Sequence, residues 1–232
     1  PAPAAQYAAR NVGQMHRLGN RIEEAAVSGV LAFASGMSGR YRDAVNAAEQ
    51  GVMLARGLDH LPTLAACYMY RAVVKGWFGH VRDAVSDFEQ ARAISERVGD
   101  LFRRHLVHGW QGEAYMLCGD YAAAGKELSQ CIVLGDQIGT SFHRGAFLAF
   151  GAGVRLHEGD LAGAQRAIEE AAHIAVETRQ PWAQSIALRV QSEIWLASLP
   201  QQLDAAEAAV RGAIDIQVAR ECRCDLAWSR LV

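Results

Sequence analysis

The sequence predicts an all-α fold, a right-handed α-α superhelix of about five to six helical hairpins. Three observations carry this expectation. A short pattern returns every forty residues. Each copy carries an apolar face of helical period. No sustained period-2 alternation or Asn-Gly hairpin marks a strand.

The recurring stretches are "GRYRDAV" from Gly39, "GHVRDAV" from Gly79, "GDYAAAG" from Gly119 and "GDLAGAQ" from Gly159. Stacked at that period, Tyr41, Val81, Tyr121 and Leu161 share a column, as do Ala44, Ala84, Ala124 and Ala164. Ala48, Phe88, Leu128 and Ile168 follow, then Gly51, Ala91, Cys131 and Ala171. Leu203, Ala206, Val210 and Ala213 repeat the spacing after a two-residue slip. From Tyr41 the apolar positions fall at i, i+3, i+7 and i+10, one face of a helix. The small columns admit a neighbouring helix at close range.

A second helical stretch belongs to each copy, for example "PTLAACYMYRAVVKGWF" and "PWAQSIALRVQSEIWLA". Pro62 and Pro181 suit a first helical turn, where no N–H bond is lost. Gly79, Gly119 and Gly159 suit the tight turn behind that helix. Each unit is therefore two helices in forty residues. One hairpin cannot bury its own apolar faces, so the units stack into one core. The expected divisions are a half-unit at 1–21, then 22–61, 62–101, 102–141, 142–181 and 182–232, all within a single solenoid. The half-unit and "RECRCDLAWSRLV" look like hairpins missing a partner helix, so the chain is expected to be a fragment of a larger multidomain protein.

The column pattern resembles the tetratricopeptide (TPR) repeat, and Gly79, Val81, Ala84, Phe88 and Ala91 carry the likeness. Ala32, Ala72, Gly112 and Ala152 sit where that repeat has its first-helix glycine. The period is forty rather than thirty-four. The proline that usually closes the second helix is missing, with Arg56, Glu96, Asp136 and Val176 near its place. Long repeats of this type resemble the C-terminal helical regions of MalT-like regulators and of bacterial nucleotide cyclases linked to an AAA-type ATPase. The resemblance implies a non-catalytic interaction or regulatory module in a signalling protein.

Composition agrees with a packed, non-catalytic domain. The chain has 232 residues, 51% hydrophobic and 21% charged, with net charge −2. That balance excludes disorder and offers no global attraction to nucleic acid. Five scattered cysteines form no CxxC pair, and the Cys222/Cys224 side chains would diverge on a helix. This usage fits a reducing, cytoplasmic setting. No apolar run is long enough to span a membrane. "GAGVRL" at Gly151 lies inside a helical unit and is expected to serve close helix packing rather than a nucleotide. His105 and His108 share a helix face but lack a third ligand, so no metal and no cofactor is expected. Glu23–Glu24 and Glu169–Glu170 are expected on outer, solvated faces.

One stripe of the first helices stands apart. With 100° per residue, positions about 140–200° from the column of Ala66, Leu106, Ala146 and Ile186 form the expected exposed arc. They include Tyr68, Arg71 and Lys75; Arg104, His108, Gln111 and Tyr115; Arg144 and Arg155; and Gln191 and Trp195. The arc holds basic and aromatic side chains and no acid. By the resemblance it would line a concave groove and take an acidic protein or peptide segment, or another part of its own parent. A plain solvated face is the competing account of the same stripe. Two other functions stay open: a small-molecule effector sensor, and self-association, including a homodimer through the open solenoid ends.

Overall fold

The hairpins expected from the sequence are present in the computed structural model, which describes residues 2–198 and 202–232. Among the described residues twelve helices follow one another: α1 (Ala2–Arg17), α2 (Arg21–Met37), α3 (Tyr41–Arg56), α4 (Leu61–Trp77), α5 (Val81–Val98), α6 (Leu101–Leu117), α7 (Tyr121–Ile138), α8 (Arg144–His157), α9 (Leu161–Glu177), α10 (Pro181–Ser198), α11 (Leu203–Ala219) and α12 (Arg223–Ser229). No strand occurs among the described residues.

The tightest pairs are α2 with α3, α4 with α5, α6 with α7, α8 with α9 and α10 with α11, which are the five hairpins. Consecutive first helices also pack on one another, α2 on α4, α4 on α6, α6 on α8 and α8 on α10. The repeating glycines close the first helices with left-handed backbone, φ +70° at Gly39 and +84° at Gly79, a conformation that costs a side-chain-bearing residue. Asp120 and Asp160 then cap α7 and α9, each accepting a hydrogen bond from the backbone N–H three residues on (3.1 and 2.8 Å). The link before α8 is longer and ends at His143, itself left-handed at φ +58°, so α8 is three residues shorter than α6.

The core columns are buried as their spacing requires. Ala44, Ala84, Ala124 and Ala164 are fully enclosed, and Phe88, Leu128 and Ile168 fill the space between helices. Small residues set the distance between first helices. A Cβ at Gly109 of α6 would lie 2.4 Å from the Phe147 ring of α8, and one at Gly29 of α2 would lie 2.5 Å from Tyr70 of α4. Gly151 does not follow the sequence expectation. A Cβ there meets nothing within 4 Å, so it faces open space rather than a packed helix. Glu24 also differs: it is 2% exposed, held by Arg21 (2.8 Å) and His16 (3.0 Å), and is no solubility feature. Glu23, Glu169 and Glu170 are exposed.

These two glycine environments give opposite outcomes for the same substitution. Gly109→Ala should destabilise by about 1–3 kcal/mol through overpacking against Phe147. Gly151→Ala should stabilise by about 1 kcal/mol through helix propensity alone. Urea denaturation followed by circular dichroism checks both.

Candidate functional site

The stripe residues face the second helices. Arg71 of α4 clamps Asp87 of α5 with two bonds (2.8 and 2.6 Å) and reaches Glu49 of α3 (2.7 Å). Lys75 shares Asp87 at 2.7 Å. The Tyr68 hydroxyl accepts from Arg56 at 3.1 Å, and the guanidinium groups of Arg56 and Arg71 lie over its ring. On α6, Arg104 lies 3.9 Å from Glu96, and His108 meets Glu127 at 2.6 Å. On α8, Arg144 is engaged by Asp136 and Glu170. Gln191 of α10 donates to Gln165 at 3.2 Å. Gln111 is 2% exposed, and its Oε1 has no partner. Tyr115 and Trp195 are half-buried, and Arg155 is exposed.

The stripe residues lie against the second helices, and although the stripe itself holds no acid, α3, α5, α7 and α9 supply acids to it. A count along one helix omits partners that arrive from helices sixteen to twenty-six residues away. For Arg71 those partners outweigh the cost of burial and hold its guanidinium firmly charged.

One seam between consecutive second helices is open. Between α7 and α9, over α8, lies a groove of about 1340 Å³. Its floor is Phe147, Leu148, Gly151 and Val154, with Leu128 and Ala167 on the walls. It opens because Gly151 occupies the column that holds Arg71, Gln111 and Gln191 in the other units. Arg144 and Arg155 of the stripe meet there, joined by Lys126 and Arg166. The four cations Lys126, Arg144, Arg155 and Arg166 stand against the exposed acids Glu158, Asp160 and Glu170, of which Glu170 engages Arg144 and Asp160 caps α9, so the rim carries a small excess of positive charge. A smaller pocket of about 400 Å³ lies over Tyr68 and is walled by the clamped Arg71, Lys75 and Asp87.

An aromatic face is a second feature. Phe33 of α2, Trp77 of α4, Trp110 of α6 and Trp182 of α10 form a continuous aromatic cluster, with His143 beside α8. Trp110 touches Trp182 at 5.5 Å between ring centres although their helices are two units apart, so the row of first helices is sharply curved. Burial, with His105 adding to it, pushes His143 down to about 4, so it is neutral near pH 7. Glu113 lies one turn beyond Trp110 and accepts from the Trp77 indole at 3.0 Å. Burial and the nearby Asp225 carboxylate push it up to about 8. The i, i+3 relation to Trp110 was the one sequence signal that placed Glu113 on this face.

No family model matches the sequence, and no curated protein matches it. Solved structures do. BtubC (BKLC) from P. vanneervenii aligns with TM-score 0.69 at 18% identity, covering 94% of this chain and 91% of that one. A kinesin light chain protein of nearly identical TPR-like repeats from Podosopora anserina gives 0.56 at 22%, covering 88% and 96%. A signal-transduction ATPase with numerous domains and a tetratricopeptide repeat sensor, from Pyrococcus horikoshii, gives 0.59 at 14%, covering 91% of this chain and 36% of that one. The fold is a TPR-like α-solenoid. Among the described residues, no three His, Cys, Asp or Glu side chains group to hold a metal ion, and no helix is long and apolar enough to cross a membrane.

The Arg71–Asp87–Lys75 cluster is a structural clamp in this geometry. Asp87→Ala should leave the largely buried Lys75 without its acceptor and Arg71 with only the exposed Glu49, and cost about 2–4 kcal/mol. Thermal unfolding at low and high salt measures the loss. It should survive high salt, because Asp87 is screened from solvent.

Proposed function

We propose that this chain is a non-catalytic protein-interaction module of a regulatory scaffold, and that it takes an acidic peptide segment in the groove over α8. The observation that carries the proposal is the conjunction at Gly151. A missing side chain opens an apolar floor, and three exposed cations surround it. Apolar floor with charged rim is the usual anatomy of a peptide site, with shape supplied by the floor and register by the rim. The other stripe positions, Tyr68, Arg71, Lys75 and His108 among them, hold second helices in place and act on the groove through its geometry.

A regulatory role is supported by the likeness to a protein whose name includes a tetratricopeptide repeat sensor. That name belongs to a chain of which the present one matches about a third. Effector sensing by a small molecule fits the groove less well. Its volume of about 1340 Å³ is beyond the ~300–1,000 Å³ typical of small-ligand pockets, and the site is open rather than enclosed.

Fluorescence anisotropy with labelled Asp/Glu-rich peptides tests the assignment. Gly151→Gln should fold at least as stably as the parent, since the site is open and glycine is a weak helix former. It should nonetheless weaken peptide binding about tenfold or more by filling the floor. Arg155→Glu should weaken it by a similar factor and reduce its salt dependence. Undiminished binding to the Gly151→Gln protein would exclude the groove.

A further inference from the structure

A different surface carries a separate inference. The inner aromatic face is occupied by α12. The Trp182 indole of α10 donates to Asp225 of α12 at 2.9 Å. At the other end of the solenoid, α12 also packs on α2, and a Cβ at Gly39 would be 3.1 Å from the Arg223 side chain. Seven residues thus touch the first hairpin and the last. Between these contacts lie two buried carboxyl groups, each accepting from one indole N–H: Glu113 of α6 from Trp77, and Asp225 from Trp182, two indoles joined through the Trp110 ring.

We propose that α12 is a pH-responsive clasp across the inner face, seated while the buried Glu113 carboxyl is protonated and released when it ionises. Burial and the like charge of Asp225 both disfavour an ionised Glu113, so its carboxyl is protonated when α12 is seated. The elements packed against the two carboxyls supply little compensating charge. From α10 comes Arg189, whose guanidinium bonds Glu193 and stabilises both acids as anions at a distance. From α12 come the Cys222 and Cys224 thiols, raised by burial and neutral. From α4 and α10 come the indoles, which do not titrate. His143 beside α8 is neutral near pH 7. One arginine already bonded to its own acid does not neutralise two buried carboxylates.

The direction follows from linkage. Burial and Asp225 raise Glu113 to about 8 with α12 seated. Releasing α12 removes Asp225 and admits water, so the carboxyl returns toward its ordinary range. The seated state then binds more protons than the released one at pH values between the two. Seating is therefore favoured at the acidic end of that window and lost as pH rises through about 8.

The clasp adds a conformational control to a face away from the α8 groove, so the two proposals fail independently. The test is amide hydrogen exchange of the full chain by mass spectrometry, at about pH 6 and about pH 9, with rates corrected for intrinsic exchange. In the parent, α12 and the facing turn of α6 should exchange about a hundredfold faster at the higher pH, from the roughly two pH units between 6 and about 8 over which the seated state keeps the extra proton, while α3–α5 stay unchanged. Glu113→Gln keeps the indole acceptor and removes the charge, so α12 should stay protected at both values. Trp182→Phe removes the seat, so α12 should exchange freely at both. Equal protection of parent α12 at the two pH values would overturn the proposal. So would free exchange at both, or a pH response that persists in Glu113→Gln.

Discussion

The close approach of successive first helices is the constraint on which the rest of this solenoid depends. It is set by small residues facing large ones: Gly29 against Tyr70, Gly36 against Trp77, Gly109 against Phe147. A methyl group at Gly29 or Gly109 would overlap the ring that fills its place. The first helices are drawn together, while Phe88, Leu128 and Ile168 of the second helices fill the core behind them. The curvature brings Trp110 onto Trp182 across an intervening unit. It also brings α12 back to α2, so the inner face becomes a packed aromatic cluster rather than an open trough.

The same geometry spreads the seams between second helices on the outer side. Opening a seam exposes the backs of the first helices, and cationic side chains close most of them again. Arg71 and Lys75 fill one seam by binding Asp87, and His108 binds Glu127 in the next. These ion pairs link second helices of consecutive units through a residue of the first helix between them. They stiffen the stack where hydrophobic contact is thinnest. The seam over α8 escapes closure because its column carries glycine. A surface available to a partner is in this sense the failure of one unit to copy the filling used by the others.

The two faces consequently offer different chemistry. The outer groove combines an apolar floor with free cations and suits an anionic, extended partner. The inner face combines indole N–H groups with carboxyls and is already occupied from within the chain. A TPR-like fold leaves both surfaces available, and likeness to other solenoids at 12–22% identity speaks to the fold rather than to either surface.

The repeat of forty residues, by itself, determined the helices, their turns and the columns that meet in the core. Those follow from local geometry and from periodic burial, as Gly79, Ala84 and Phe88 show. It determined which residues form the cationic stripe, but not what that stripe faces. Arg71 meets Glu49 and Asp87 only because two other helices flank it, and a one-helix projection carries no record of them. Gly151 looked like a packing glycine because glycines elsewhere in the first helices are. Whether a small residue admits a neighbour or leaves a gap depends on what stands opposite. That Glu113 and Asp225 bind neighbouring indoles was invisible for the same reason: the two are far apart in sequence, and only the tertiary packing of Trp77, Trp110 and Trp182 brings those indoles together.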